Sequence, residues 1–252
     1  HVESVGKRVV VIGGGNTAMD AARSAKRCGA RHVQVVYRRT RAEMPAIHEE
    51  IDEAIEEGID LMELTAPVRL HGTPTGQVLT CQRMELGPPD ASGRRAPVPV
   101  ETEDAFFEIP CERIILALGQ SPDLSVFPEG TDVHEGDTLK GLTGAPIFAG
   151  GDFASNDGTV TAAIGSGRRA ALHIHRTLAD EDLFDHSEPE VAGPDAMTMH
   201  VFAHSPRDRG VVVAPEKRRR TFAEVRLGLH DQPGRPAAAV EAQRCMSCGV
   251  CN

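Results

Sequence analysis

A continuous apolar run, Val9-Val10-Val11-Ile12, leads directly into Gly13-Gly14-Gly15 and then into Asn16-Thr17-Ala18. Successive side chains of a strand point to opposite faces, so an unbroken apolar run must be covered on both, as in a parallel sheet. Gly13 then permits a tight turn. Beyond it, Ala18, Ala21, Ala22 and Ala25 share one face of a predicted helix from about Asn16 to Cys28. That face is small enough to lie close on the sheet. A second strand, His32 to Tyr37, follows and ends in Arg38-Arg39.

The spacing Gly13-x-Gly15-x-x-Ala18, set between a strand and a helix, has a mechanism. Gly13 makes the turn, Gly15 lets a pyrophosphate approach the backbone, and Ala18 seats the helix against the strand. The N–H groups around Gly14, Gly15, Asn16 and Thr17, with the positive end of the helix dipole, face the anion. Where the second strand ends, NAD sites usually carry an acidic residue for the ribose 2′-hydroxyl. This chain has Arg38 and Arg39 there, with Arg41 close by. A carboxylate would repel a 2′-phosphate, whereas guanidinium groups bind one through charge-assisted forks. The reading is a site for NADP(H). The alternatives are a glycine turn without a ligand and a solvated basic patch.

Composition narrows the setting. The chain has 252 residues and is 40% hydrophobic, enough for one large or two modest domains. Its formal net charge of −10 argues against nucleic acid as a partner. No apolar run approaches the roughly 20 residues of a membrane span, and no secretory pattern is present. Cys28, Cys81 and Cys111 are scattered singly and three more cysteines crowd the end. That is not a disulfide framework, and a reduced, cytoplasmic setting is expected.

Further along, a predicted helix over about 46–57 carries Ile47, Ile51 and Ile55 on one face and ends at Gly58. A third strand, 59–64, completes β-α-β-α-β with right-handed crossovers. Residues 67–86 and 98–109 read as an antiparallel meander around a Gly/Pro-rich turn. Arg113 to Gln120 reads as a buried strand returning to the first sheet, and 121–146 as a connection. Ile147 to Asp152 reads as a short strand ending in Gly-Asp, followed by a helix from about Thr159 to Leu178 with Gly158 or Thr159 as its cap. Residues 180–240 show little periodicity and suggest extended wrapping segments with a few short helices. Their basic run, Lys217 to Arg220, reads as a solvated face, with a docking site for an acidic partner as the alternative.

Four segments carry a resemblance: Val9–Asp20, Tyr37–Pro45, Ala117–Asp123, and Phe148–Asp152 with Gly158-Thr159-Val160 after it. They resemble the small chain of NADPH-dependent glutamate synthase and its relatives, over nearly all of residues 1–180. The resemblance implies an α/β flavoprotein of the two-dinucleotide-binding type, its NADP domain inserted into its FAD domain. Residues 1–120 would be the Rossmann-like NADP(H) domain, with the meander at about 66–110. Residues 121–180 would be the C-terminal part of the FAD domain, and 181–252 an irregular tail. Gly151 and Asp152 match the family's contact to the ribityl chain of FAD. Gly158, Thr159 and Val160 match the segment beside the flavin's pyrimidine end, where a helix dipole stabilises negative charge. Gly119 and Gln120 match the crossover near which nicotinamide meets flavin. A turn cap is the alternative for Asp152, and an N-cap role for Thr159 is compatible with the flavin one.

The resemblance further implies electron flow from NADPH through FAD and iron–sulfur clusters to a larger subunit or a ferredoxin-like acceptor, with no acid–base residue required. Relatives serve glutamate synthase, 2-oxoacid, formate or molybdenum enzymes, or pyrimidine reduction. A non-catalytic NADP(H)-binding assembly module is a further alternative. The family's own glycine motif for the ADP part of FAD has no counterpart in this sequence, so the chain reads as a fragment, expected to hold FAD poorly and to be inactive alone. At the other end, Cys245-x2-Cys248-x2-Cys251 has the spacing of three ligands to one [4Fe–4S] cluster. A zinc knuckle or unliganded cysteines are the alternatives. The sequence holds no fourth cysteine after these, so a stable cluster is not expected in this chain alone. No C-x-x-C lies near the flavin segment, so a redox-active disulfide is not expected.

Overall fold

A computed structural model describes residues 5–74, 76–89, 95–121, 123–129, 131–134, 138–140, 147–155, 158–179, 206–229 and 236–245. The chain forms two compact units, 1–118 together with 200–252, and 119–199.

The first unit opens with β1 (Arg8–Ile12), α1 (Asn16–Arg27), β2 (His32–Val36), α2 (His48–Glu56) and β3 (Asp60–Met62). It continues through β4 (Thr65–Thr73), β5 (Gly76–Pro89), β6 (Arg95–Pro99), β7 (Phe106–Cys111) and β8 (Arg113–Leu116). The first sheet is parallel throughout, in the order β3-β2-β1-β8. The expected return of the 113–120 segment is therefore present, Val9 pairing with Arg113 and Ile12 with Leu116. The strand stops at Leu116, however, and is not buried as expected: Ile114 and Ile115 are half-buried and Leu116 is 68% exposed.

The apolar run of β1 divides by parity. Val9 and Val11 pack with Ala18, Met19, Ala22 and Ile51 on the helical side. Val10 and Ile12 pack with Leu79, Cys81, Ile109 and Cys111 of the meander. Both faces of β1 are thus sealed, one by α1 and α2 and the other by an antiparallel sheet. Each buried valine contributes roughly 1.5 kcal/mol. The expected antiparallel meander forms from four strands. β5 pairs with β4 on one edge; on the other, β7 pairs with its first part and β6 with its last. β5 also runs to Pro89, further into the expected turn region.

The second unit contains a hairpin of β9 (Asp132–His134) and β10 (Thr138–Lys140), then α3 (Asp152–Ser155) and α4 (Val160–Ala179). Of the expected strand at 147–152, Phe148 alone makes a β-bridge; Gly151, at φ +73°, then turns the backbone into α3, which opens on Asp152. Gly150 lies against α4, where a Cβ would come 3.3 Å from the Gly167 Cα.

Residues 206–229 return to the first unit. Val212 and Arg226 bridge antiparallel around α5 (Pro215–Arg218), and α6 (Ala237–Ala242) follows. The solvated-face reading of the 217–220 run is corrected here for Arg218, which is 2% exposed. Its guanidinium is enclosed by the carboxylates of Glu53 and Glu56 on α2 and of Glu57 just beyond it.

Candidate functional site

The glycine turn between β1 and α1 is shaped by three different demands. Gly13 has φ +146°, and a Cβ there would lie 2.2 Å from the Ala117 carbonyl oxygen beyond β8. Gly14 lies under the ring of Tyr37, where a Cβ would meet the ring at 2.4 Å. Gly15 caps α1 in extended backbone, φ −90° and ψ 176°, and a Cβ there would meet nothing within 4 Å. Protein packing therefore accounts for Gly13 and Gly14 but not for Gly15. Above Gly15 the chain leaves open space at a helix N-terminus, beside the first amides of α1, Asn16 and Thr17, which are exposed. Those first amides have no acceptor within the helix. Ala18 is fully buried against the sheet.

The loop after β2 is folded back over this turn. The Ala46 amide donates to the Gly14 carbonyl (3.1 Å) and the Ile47 amide to Asn16 Oδ1 (2.8 Å). The Tyr37 hydroxyl donates to the Glu43 carbonyl (2.9 Å). Thr40 and Glu43 form a capping box on a short 3-10 turn. The Thr40 hydroxyl and amide hold the Glu43 carboxyl below the usual glutamate range. Arg38 is exposed at the mouth, while Arg39 is partly buried with its Nε donating to the Arg95 carbonyl (2.8 Å). Arg41 takes another direction: its guanidinium pairs with Asp52 and its amide donates to Glu63 (2.6 Å). The positions of Tyr37 and Arg95 were not foreseen from the sequence. Both are set by tertiary contacts that no local pattern reports.

A buried ionic network lies behind α1 and was also missed. Glu57 is fully buried and accepts from Arg23 Nε (3.1 Å), Arg23 Nη2 (2.9 Å) and Arg27 Nη2 (3.0 Å). Arg23 also reaches Glu53 (2.8 Å) and Glu50. Arg218 approaches Glu53 and Glu57 and bonds Glu56, and Arg226 bonds Glu53 (2.6 Å). Burial alone would lower the Arg23 pKa, but the bond to Glu57 and the surrounding carboxylates raise it above the ordinary value. The network fastens the 206–229 segment to α1 and α2.

In the second unit Asp152 Oδ1 accepts from the Gly158 amide (3.1 Å), closing the 152–158 loop. The Gly151 amide donates to Ser166 Oγ (3.1 Å) on α4. Thr159 Oγ1 accepts from the Ala162 amide (3.2 Å), an N-cap bond for α4. Val160 is exposed at that helix start. Gly119 and Gln120 are exposed and open this unit. Cys81 and Cys111 are buried free thiols, that of Cys81 pushed up to about 11 by burial. Cys245 is exposed just beyond α6, and Cys248 and Cys251 lie outside the described residues.

The parallel sheet, the glycine turn and the helix start define a Rossmann-like domain of the FAD/NAD(P) oxidoreductase type. Residues 1–167 match the family described as pyridine nucleotide-disulphide oxidoreductase, and the chain belongs to it. It is 39% identical over 260 residues to the NADP(+)-dependent formate dehydrogenase subunit beta of Moorella thermoacetica, covering 96% of this chain and 36% of that one. It is 36% identical over 195 residues to the glutamate synthase (NADPH) small chain of Escherichia coli K12, covering 70% and 40%. The chain thus spans about two fifths of the length of these curated relatives. Among solved structures, Mycobacterium tuberculosis FprA in complex with NADPH shares the fold, with TM-score 0.58 and 18% identity over 70% of this chain and 53% of that one. Among the described residues no helix is long and apolar enough to cross a membrane.

Proposed function

We propose that the first unit binds NADP(H) and that the chain belongs to an NADPH-dependent flavin oxidoreductase subunit. The observation that carries this is Gly15, whose lack of a side chain serves no packing purpose in the protein, set beside the arginine-rich end of β2. The amides of Asn16 and Thr17 would hold the pyrophosphate. Arg38 and Arg39 would hold the 2′-phosphate, and the Asp52-paired Arg41 would shape the loop between them. In the second unit the residues fit the ribityl and pyrimidine side of FAD. One Asp152 oxygen closes the loop, its carboxylate remains exposed, and the α4 start offers its dipole end. Bound together, nicotinamide and flavin would supply hydride and single-electron chemistry. The chain's own residues orient the nucleotide and exclude competitors.

On this reading electrons leave through a [4Fe–4S] cluster held in part by Cys245, Cys248 and Cys251, toward a larger subunit or ferredoxin-like acceptor. Two acceptor classes are open. The glutamate synthase small chain supports one. The formate dehydrogenase relative supports the other more fully, because it matches 96% of this chain against 70%. The test is NADPH-driven reduction of an artificial acceptor by the longer protein that contains this chain, followed by co-purification of its partner. Activity that is lost in an Arg38→Glu/Arg39→Glu variant with NADPH, but kept with NADH, supports the reading. Nucleotide binding with no reduction of any acceptor would make the chain an assembly module instead.

A further inference from the structure

The hairpin of β5 and β6 carries an irregularity beside the arginine mouth. Leu86 pairs with Pro97 and Pro89 with Arg95, and the register shifts between them. A shift of this kind interrupts the ladder and leaves backbone groups without strand partners. Here two carbonyls at the shift are taken by one side chain. Arg95 Nε donates to the Gly87 carbonyl (2.9 Å) and Arg95 Nη2 to the Leu86 carbonyl (2.8 Å). Gly87 is confined as well, since a Cβ there would lie 3.0 Å from Val98 Cγ2. The fork of Arg95 therefore fixes its own backbone, and the Arg95 carbonyl accepts from Arg39 Nε at 2.8 Å.

We propose that Arg95 is a positioning residue for 2′-phosphate selectivity, acting through Arg39. This rests on the reading of the β2 end as a 2′-phosphate site. A guanidinium has five N–H donors. With Nε anchored on the Arg95 carbonyl, the two terminal nitrogens of Arg39 are left to meet a phosphate end-on. A free arginine would have to be ordered on binding, whereas the Arg95 carbonyl orders it beforehand. The Arg95 side chain itself is turned back on the Leu86 and Gly87 carbonyls. The meander, otherwise a cover for the second face of the parallel sheet, becomes part of the nucleotide-selecting machinery.

The experiment titrates the full chain and its Arg95→Ala, Arg95→Lys, Arg39→Ala and Arg39→Ala/Arg95→Ala variants with NADP+ and NAD+. Thermal melts run alongside each titration. Arg95→Ala is expected to weaken NADP+ binding about three- to tenfold, the cost of ordering one long side chain, and to leave NAD+ binding unchanged. Arg95→Lys keeps the charge but loses the two-carbonyl fork, so it is expected to show the same loss with an unchanged melt. The Arg95→Ala effect should vanish in the Arg39→Ala background. Undiminished selectivity in both Arg95 variants, or an effect that persists without Arg39, overturns the proposal while the parent site stands. If Arg39→Ala itself leaves NADP+ and NAD+ affinities unchanged, the 2′-phosphate reading falls and this inference with it.

Discussion

Gly15→Ala is expected to leave folding almost untouched and to weaken dinucleotide binding at least tenfold. Gly15 already has backbone angles that alanine adopts, φ −90° and ψ 176°, and its new methyl would meet nothing within 4 Å. Removing glycine's freedom in the unfolded chain favours folding by ~0.4–1 kcal/mol. Alanine is a poorer N-cap than glycine by roughly the same amount, so the two effects offset within ~1 kcal/mol. The ligand has no such compensation. A methyl above Gly15 fills the space a phosphate oxygen needs to reach the helix amides. Losing one charged hydrogen bond costs ~1.5–3 kcal/mol, at least tenfold in affinity at 1.4 kcal/mol per decade. Gly14→Ala is the contrasting control. Its methyl would lie 2.4 Å from the Tyr37 ring, and overpacking of this kind costs ~1–3 kcal/mol. Thermal melts and calorimetric titration of both variants with NADPH separate the two. The reasoning is refuted if Gly15→Ala binds NADPH like the parent chain, or if it loses as much stability as Gly14→Ala.

Glu57→Gln keeps the shape but sets a neutral amide against buried Arg23 and half-buried Arg27, while Arg23 keeps Glu53 and Glu50. It should lower the urea-derived stability by ~1.5–3 kcal/mol and open 206–229 to protease, and an unshifted midpoint would contradict the network's role. Cys81, with its pKa raised to about 11, holds a proton in the folded chain that the unfolded chain releases earlier. Its contribution is complete below the ordinary thiol range and is lost as pH rises through about 11, so Cys81→Ala should flatten that alkaline limb. In the folded state at pH 8, Cys81 and Cys111 should resist iodoacetamide while the less buried Cys28 reacts; rapid labelling of Cys81, read by mass spectrometry, would show the meander is not packed as described.

The β1–turn–α1–β2 unit was legible because its signals are local. An apolar run buried on both faces, a glycine triplet and an alanine face follow one another without interruption, and the observed bounds differ by one residue at each of α1 and β2. The return of β8 was legible for the same reason, as a second apolar run. What the sequence concealed depends on distant contacts. A run of four basic residues has the same local pattern whether solvated or docked, and only the arrival of Arg218 against Glu53, Glu56 and Glu57 separates the cases. Ile147 to Gly151 has strand composition, yet the positive φ of Gly151 redirects it. Arg39 was legible as a charge, but its anchoring carbonyl on Arg95 is 56 residues away along the chain.

The central claim, that the open space above Gly15 and the arginines at the end of β2 form a site selective for a 2′-phosphorylated dinucleotide, is tested most directly by calorimetric titration of the chain with NADPH and, separately, NADH. The account predicts saturable NADPH binding at least tenfold tighter than NADH, with the difference abolished when Arg38 and Arg39 are both replaced by alanine. Equal affinities, NADH-favoured binding, or no binding of either nucleotide to the folded chain would contradict it.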